Sequence, residues 1–454
     1  MDRQSEAARP LDPIDVAGSA DLRVLSTMAT TLKFSAAIDA LNWLRDATSI
    51  LDTTRPFPLR GRGRDTADKF LNNITDLERW GIVTEVKNPQ NWKGYLSTYF
   101  QVPKTDVPPV DRTIFNGRQL STHFIAPPVV NLMDAPDVIR YVHSFSGRKT
   151  FCHVLDLRHW FHQIRMSGST RDLFNIRCGQ RVFRWEVLPM GWSFSPRICQ
   201  CLAWTAILAS SNPQSNTDGM QQARVDIENG KDPPRYVVLR NNAGVECGFI
   251  SLTYDNIGIF ADDGNMFRAV CDKLHRNFKE ANMVVKEGSQ QTCVGAELFI
   301  DGTEPYKGIT FLGIQYGKRR TSKGNTVIWR HDPERLGRWK AMIDRLTPEG
   351  ATYRVTAQVV GVVLWHHTVR LQPLCECVDV IRILRWLAAA VRRSNRWDDL
   401  PAEIPKGFLD TMRQELSGVL VNSWTEIAPI STTTERCIFT DASNKGFGIL
   451  STQP

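Results

Sequence analysis

The chain has 454 residues, 42% hydrophobic and 23% charged, with 56 Lys and Arg against 48 Asp and Glu and a net charge of +8. That length buries a sizeable core in roughly two to four subdomains, and the composition is globular rather than disordered. The small positive excess is compatible with a polyanionic partner without demanding one. In chain order, residues 1–64 read as an extension: an Ala/Asp/Ser-rich start, a helix through "FSAAIDALNWLRDA", and the Pro/Gly/Arg linker Arg55 to Arg64. A helix is expected from Asp65 to Trp80, stopped by Gly81. Short strands and turns follow to Gln119. From Phe151 to Tyr316 apolar strands alternate with helices, interrupted by a polar segment, Ser211 to Arg235, that reads as a surface insertion. From Arg335 to Leu420 the pattern is helical and rich in Trp and Arg.

The first residues lack the apolar stretch of a signal peptide, and no run long enough to cross a bilayer occurs. Cys199-Gln-Cys201 and Cys375-Glu-Cys377 lack zinc-ligand spacing and read as buried thiols. The expectation is an intracellular protein, cytoplasmic or nuclear, that is not secreted and not membrane-bound.

Three stretches carry chemistry. "GFISLTYDNIGIFADDG", from Gly248, is an apolar hairpin with two acidic pairs, Asp255-Asn256 and Asp262-Asp263. A catalytic turn needs apolar strand on both sides to hold it rigid. That favours Asp255, whereas Asp262 and Asp263 suit the first turn of a following helix, where the helix dipole favours anions. A second apolar strand, "FCHVLDL", ends in Asp156. Two carboxylates on adjacent strand ends can jointly hold the pair of Mg²⁺ ions that phosphoryl transfer uses. Between them, Leu188-Pro189-Met190-Gly191-Trp192 breaks regular structure, and Ser195-Pro196 opens a helix. That combination suits a planar, phosphate-bearing ligand.

In this order the motifs resemble those of reverse transcriptases over residues 65 to 320. "DLRHWFHQI" is similar to motif A, "LPMGWSFSP" to motif B, "TYDN" to motif C and "FLGIQY" to the primer grip. The resemblance implies an α+β right-hand polymerase: fingers at 65–150, palm at 151–317 with an insertion at 211–248, and thumb and connection at 318–430. By the same resemblance Asp156 and Asp255 are the metal ligands for two Mg²⁺ (or Mn²⁺) ions. Phe161 excludes a ribose 2′-OH, and Met190 and Gly191 pack on the templating pair. Lys104 and Arg112 hold the incoming triphosphate, with Asn116 and Arg118 continuing the pattern. Phe311, Leu312 and Gly313 grip the primer. Lys286 lies near a lysine that protonates pyrophosphate; read alone it is an exposed lysine at a helix end. The implied partners are an RNA template, a DNA primer or RNA–DNA hybrid, and dNTPs.

Two departures bear on activity. Asn256 stands where most relatives carry a second Asp, and Trp160 replaces a small residue, which is expected to crowd the nucleotide site. A catalytically dead palm kept as a nucleic-acid-binding scaffold is the competing expectation. "CIFTDASNKGFGILS" resembles the first strand of a ribonuclease H domain, with Asp441 as one metal carboxylate. No acidic residue follows Asp441, so the rest of a two-metal site is missing and no ribonuclease H activity is expected of this chain alone. The overall pattern suggests a retrotransposon, of the DIRS or VIPER kind. Trp365, His366 and His367 read as a core aromatic and two surface histidines.

Overall fold

The computed structural model describes residues 9–55, 68–87, 95–106, 108–212, 217–302, 305–322, 324–370, 377–394, 399–401, 403–421, 423–426, 438–443 and 446–451. Asp21 accepts hydrogen bonds from the N–H groups of Arg23 and Val24 and so opens α1 (Leu22–Thr31). α2 (Ser35–Arg45) comes next and buries Ala37, Ala40 and Leu44, a 3–4 spacing that gives one apolar face. Together with Leu25, Ala29 and Phe34 these side chains lie inside the largest core cluster. The segment is therefore not a separate extension; its apolar face is completed by elements far along the chain. The linker around Arg60 and the start of the helix expected at Asp65 lie outside the described residues. A short 3-10 turn over Asp68–Asn73 leads into α3 (Ile74–Arg79), ended by Gly81 at φ +72°.

β1 (Val83–Glu85) and β2 (Leu96–Ser97) precede an antiparallel hairpin of β3 (Tyr99–Asp106) and β4 (Pro109–Phe115). Its register shifts between Pro103 and Thr105, leaving Lys104 as the extra residue of a bulge. α4 (Ala135–His143) begins with a reciprocal capping box between Asp134 and Asp137. Then come β5 (Phe151–Asp156), the short α5 (Trp160–Gln163) and α6 (Gly168–Arg171), β6 (Asn175–Cys178) and β7 (Arg181–Trp185). One four-stranded sheet has the order β1-β7-β6-β2.

α7 (Ser195–Leu208) is buried on every side, including its polar Arg197, Gln200 and Thr205, each of which finds a hydrogen-bond partner. After it, α8 (Gln221–Glu228), β8 (Tyr236–Arg240), β9 (Glu246–Thr253), β10 (Asn256–Ala261), α9 (Gly264–Glu280) and β11 (Gln291–Val294) complete the central layer. The five-stranded sheet runs β11-β5-β10-β9-β8, all antiparallel, with β5 and β10 inside. The side chains alternate between two cores: Leu155, Ile257 and Ile259 face the one holding α7 and α9. Cys152, Val154 and Phe260 face the other, with Val138, Ile139 and Val142 of α4.

The polar insertion expected over 211–248 is partly built into this sheet, since β8 forms its edge and buries Val237 and Leu239. Asp218, Arg224 and Lys273 form a buried ion cluster that ties the segment to α9. Burial would raise Asp218, but the charges of Lys273 and Arg224 win and hold it below the usual carboxylate value. Part of the segment's polarity is thus paired inside the fold, while Gln222, Glu228, Lys231 and Asp232 stay exposed as a surface segment requires.

β12 (Ile309–Phe311), β13 (Ile314–Thr321) and β14 (Gly324–His331) lead into α10 (Pro333–Ile343), α11 (Tyr353–Val369), α12 (Val378–Ser394) and α13 (Phe408–Leu420). β15 (Thr425–Glu426) then returns to pair with β14. The helices close a third core around Val355, Val359, Ile383 and Leu416. His366 and His367 are half-buried rather than fully on the surface. His366 Nδ1 lies 2.6 Å from Nε2 of His331, and burial pushes His366 down to about 3. His367 sits 3.6 Å from Glu415. β16 (Ile438–Ser443) and β17 (Gly446–Ser451) form a hairpin in which Asp441 opposes Gly448; the Asp441 side chain lies outside what is described. Among the described residues no helix is long and apolar enough to cross a membrane.

Candidate active site

β9 and β10 are joined by the two-residue turn Tyr254-Asp255, with Tyr254 in the left-handed region at φ +58°. The turn is clamped by Gln200, a buried residue of α7. Its Nε2 donates to the Leu252 carbonyl (3.0 Å), and its Oε1 accepts from the Tyr254 N–H (3.0 Å). The loop before α7 is fastened as well, because Ser195 Oγ donates to the Pro189 carbonyl at 2.7 Å.

β10 pairs with β5 so that Asn256 stands opposite Asp156, and the Leu157 N–H donates to the Asp255 carbonyl at 2.8 Å. Asp156 and Asp255 therefore meet at the same end of the two central strands. Both line a cavity of about 480 Å³ together with Lys104, Arg112, Phe161, Met190 and Lys286. Burial, then the Asp255 charge, pushes the Asp156 carboxyl up to about 6, against the opposing pull of Lys286, Lys104 and Arg112. Asp255 is also raised by burial, and is restrained by its own backbone N–H, by Arg112 and by Asn256. Asn256 donates from Nδ2 to Asp255 Oδ1 at 2.9 Å, so its amide steadies that carboxylate.

Phe161 projects from α5 with its ring 6.4 Å from that of Tyr254. Trp160 also lines the cavity, but it is held in the core, where its indole N–H donates to the Cys199 carbonyl at 3.2 Å. Lys286 is not a helix-end residue. α9 stops at Glu280, and the Lys286 N–H donates to the Asp156 carbonyl at 2.8 Å. Asp263 caps α9, accepting from the N–H groups of Asn265 and Met266, and Asp262 pairs with Arg148 at 2.8 Å. Both lie at the far end of β10 from Asp255.

Gly191, at φ +122°, is absent from the residues lining the cavity. A Cβ there would lie 2.0 Å from the Phe115 carbonyl oxygen, so its close approach is to the chain's own β4. Phe311, Leu312 and Gly313 form the β12–β13 turn, with positive φ at Leu312 and Gly313. They also stand apart from the cavity. Phe311 covers Gly258, where a Cβ would be 2.9 Å from its ring, on the sheet face that carries Asp156.

Two features escaped sequence reasoning. Gln200 is one buried amide in an apolar helix, with no local pattern to mark it. Residues 9–20 cross the cavity, placing Asp12 in its lining, in ion-pair contact with Lys104 and 3.2 Å from His159 Nε2. The alternation in "PLDPIDV" is the only trace of that role in the sequence.

The arrangement offers two hard-oxygen ligands whose mutual repulsion a divalent cation would relieve, beside cations suited to a polyanion. Among the described residues there is no group of three metal-ligating side chains. No protein-family model and no curated protein matches the sequence. Among solved structures, a foamy viral protease-reverse transcriptase in complex with RNA/DNA hybrid aligns with a TM-score of 0.50 and 13% identity, over 89% of this chain and 46% of that one. Two such proteins in complex with dsDNA align with TM-scores of 0.47 and 0.43 at 13% identity, over 99% and 88% of this chain. The chain spans 60% and 66% of their lengths. At this identity the likeness is one of fold: a mixed α+β architecture with antiparallel sheets, of the polymerase-like class that retroviral reverse transcriptases share.

Proposed function

We propose that the protein is an RNA-directed DNA polymerase that adds dNTPs to a primer on an RNA template. The observation that carries this reading is the meeting of Asp156 and Asp255 at one cavity whose other walls hold Lys104, Arg112 and Lys286. On this reading the β3–β4 hairpin belongs to the fingers, the five-stranded sheet is the palm, and α10 to α13 form the thumb and connection. Asp156 and Asp255 would hold two Mg²⁺ (or Mn²⁺) ions. When bound, such ions lower the charge between primer hydroxyl and phosphate and steady the leaving group. Lys104 and Arg112 neutralise the triphosphate, Lys286 sits where a departing pyrophosphate needs a proton, and Phe161 closes the space that a 2′-OH would enter.

A second hollow of about 860 Å³ begins at Lys104 and is lined by Arg335, Arg338 and Arg345 of the α10 region. That basic wall suits the phosphate backbone of a primer–template duplex. Buried, unpaired thiols such as Cys199 and Cys201 fit a reducing intracellular compartment. A retrotransposon origin, of the DIRS or VIPER kind, rests on the motif resemblance alone.

Primer extension on an RNA template tests the reading. Incorporation is expected with dNTPs, at least tenfold less with rNTPs, and none with Asp156→Ala. Incorporation that survives Asp156→Ala defeats it. The Asn256 amide, bound to Asp255 in place of a second carboxylate, favours one alternative, a silent palm that only binds nucleic acid. Asn256→Asp separates the two: a polymerase gains incorporation by about tenfold or more, whereas a scaffold stays inert.

A further inference from the structure

The segment from Arg9 to Ala20 straps one side of the cavity to the other. It starts as an added strand on the β3–β4 hairpin: Leu11 pairs with Asp111 in parallel, the Asp12 N–H donates to the Asp111 carbonyl, and the Asp111 N–H donates to the Pro10 carbonyl, both at 2.9 Å. It ends on α5, where the Gly18 N–H donates to the His162 carbonyl at 2.8 Å and the Ala20 N–H to the Gln163 carbonyl at 3.0 Å. Leu11 and Ile14 are buried in the main core and anchor the middle. Between these anchors two carboxylates turn to the cavity wall. Asp12 makes an ion pair with Lys104 and lies 3.2 Å from His159 Nε2, while Asp15 lies 3.1 Å from Arg158.

We infer that the strap is a built-in competitor for the polyphosphate: Asp12 holds Lys104 and must give it up when a triphosphate enters. This rests on reading Lys104 as a triphosphate ligand. A lysine ammonium is one compact charge with three donors, so a carboxylate and a phosphate oxygen seek the same hydrogens. The half-buried setting of the pair, with side chains 25% and 20% exposed, keeps solvent from screening that competition fully. Because the strap is held by backbone hydrogen bonds and by Leu11 and Ile14, Asp12 can release Lys104 without the segment leaving its bed. The same bonds tie the hairpin to α5.

The test uses the full chain and inorganic tripolyphosphate with Mg²⁺, titrated calorimetrically. Asp12→Asn, which is isosteric, and Asp12→Ala, as a second variant, are each expected to tighten binding about 3- to 10-fold relative to the parent. The gain is expected to vanish when Lys104→Ala is added. Unchanged or weaker binding in both Asp12 variants, with parental melting temperatures, overturns the inference; so does a gain that persists without Lys104. Primer extension on the same proteins reports separately on the polymerase reading. Tighter tripolyphosphate binding without any nucleotide incorporation keeps the strap's role and removes that reading.

Discussion

Asp156 carries an unfavourable charge in the fold by itself, and its sign fixes a pH dependence. Its carboxyl is raised from 3.8 to about 6. Below pH 4 it is protonated whether folded or unfolded, so it costs nothing. Between pH 4 and 6 the unfolded chain releases the proton first, so stability falls through that window and the full cost remains above it. With allowance for solvent screening the cost is about 1–2 kcal/mol. Asp156→Asn is therefore expected to raise the melting temperature of metal-free protein at pH 7.5 and to leave it nearly unchanged at pH 4. Calorimetric melts at the two pH values check this; equal melting temperatures at both would show that the carboxyl is not perturbed. Asp255 is shifted in the same direction and adds to the trend.

The β9–β10 hairpin holds its turn through one amide on another element. Gln200→Leu strips partners from the Leu252 carbonyl and the Tyr254 N–H. The expected loss is about 1–3 kcal/mol in urea unfolding, with incorporation reduced more than tenfold as the Asp255 turn loosens. Parental activity would show that the turn is rigid without the clamp. The hairpin itself was legible in the sequence, because apolar strand flanks Asp255 on both sides while Asp263 precedes a helix. Contacts between distant segments that no motif marks were not. Gln200, the strap and the contact of buried His331 with half-buried His366 leave no local period, and the apolar face of α2 does not reveal that its partner is α7. Nor does the sequence show that Trp160, at the cavity wall, is pinned to α7 through its indole N–H.

On the scale of the molecule, the central sheet is covered on both faces, and this two-sided burial fixes β5 against β10. A one-residue slip would exchange Ile257 and Ile259 for Gly258 and Phe260 and empty one core into the other. The juxtaposition of Asp156 and Asp255 is thus a property of the whole fold, which explains why two residues so far apart in sequence meet. It also makes the site a unit: if the two carboxylates act together, removing the second after the first costs nothing more. Single-turnover incorporation of one dNTP by the parent, Asp156→Ala, Asp255→Ala and the double variant measures this directly. The account predicts that each single variant loses at least about a thousandfold and that the double variant is no worse than either. Substantial activity in either single variant, or losses that simply multiply in the double, would contradict it.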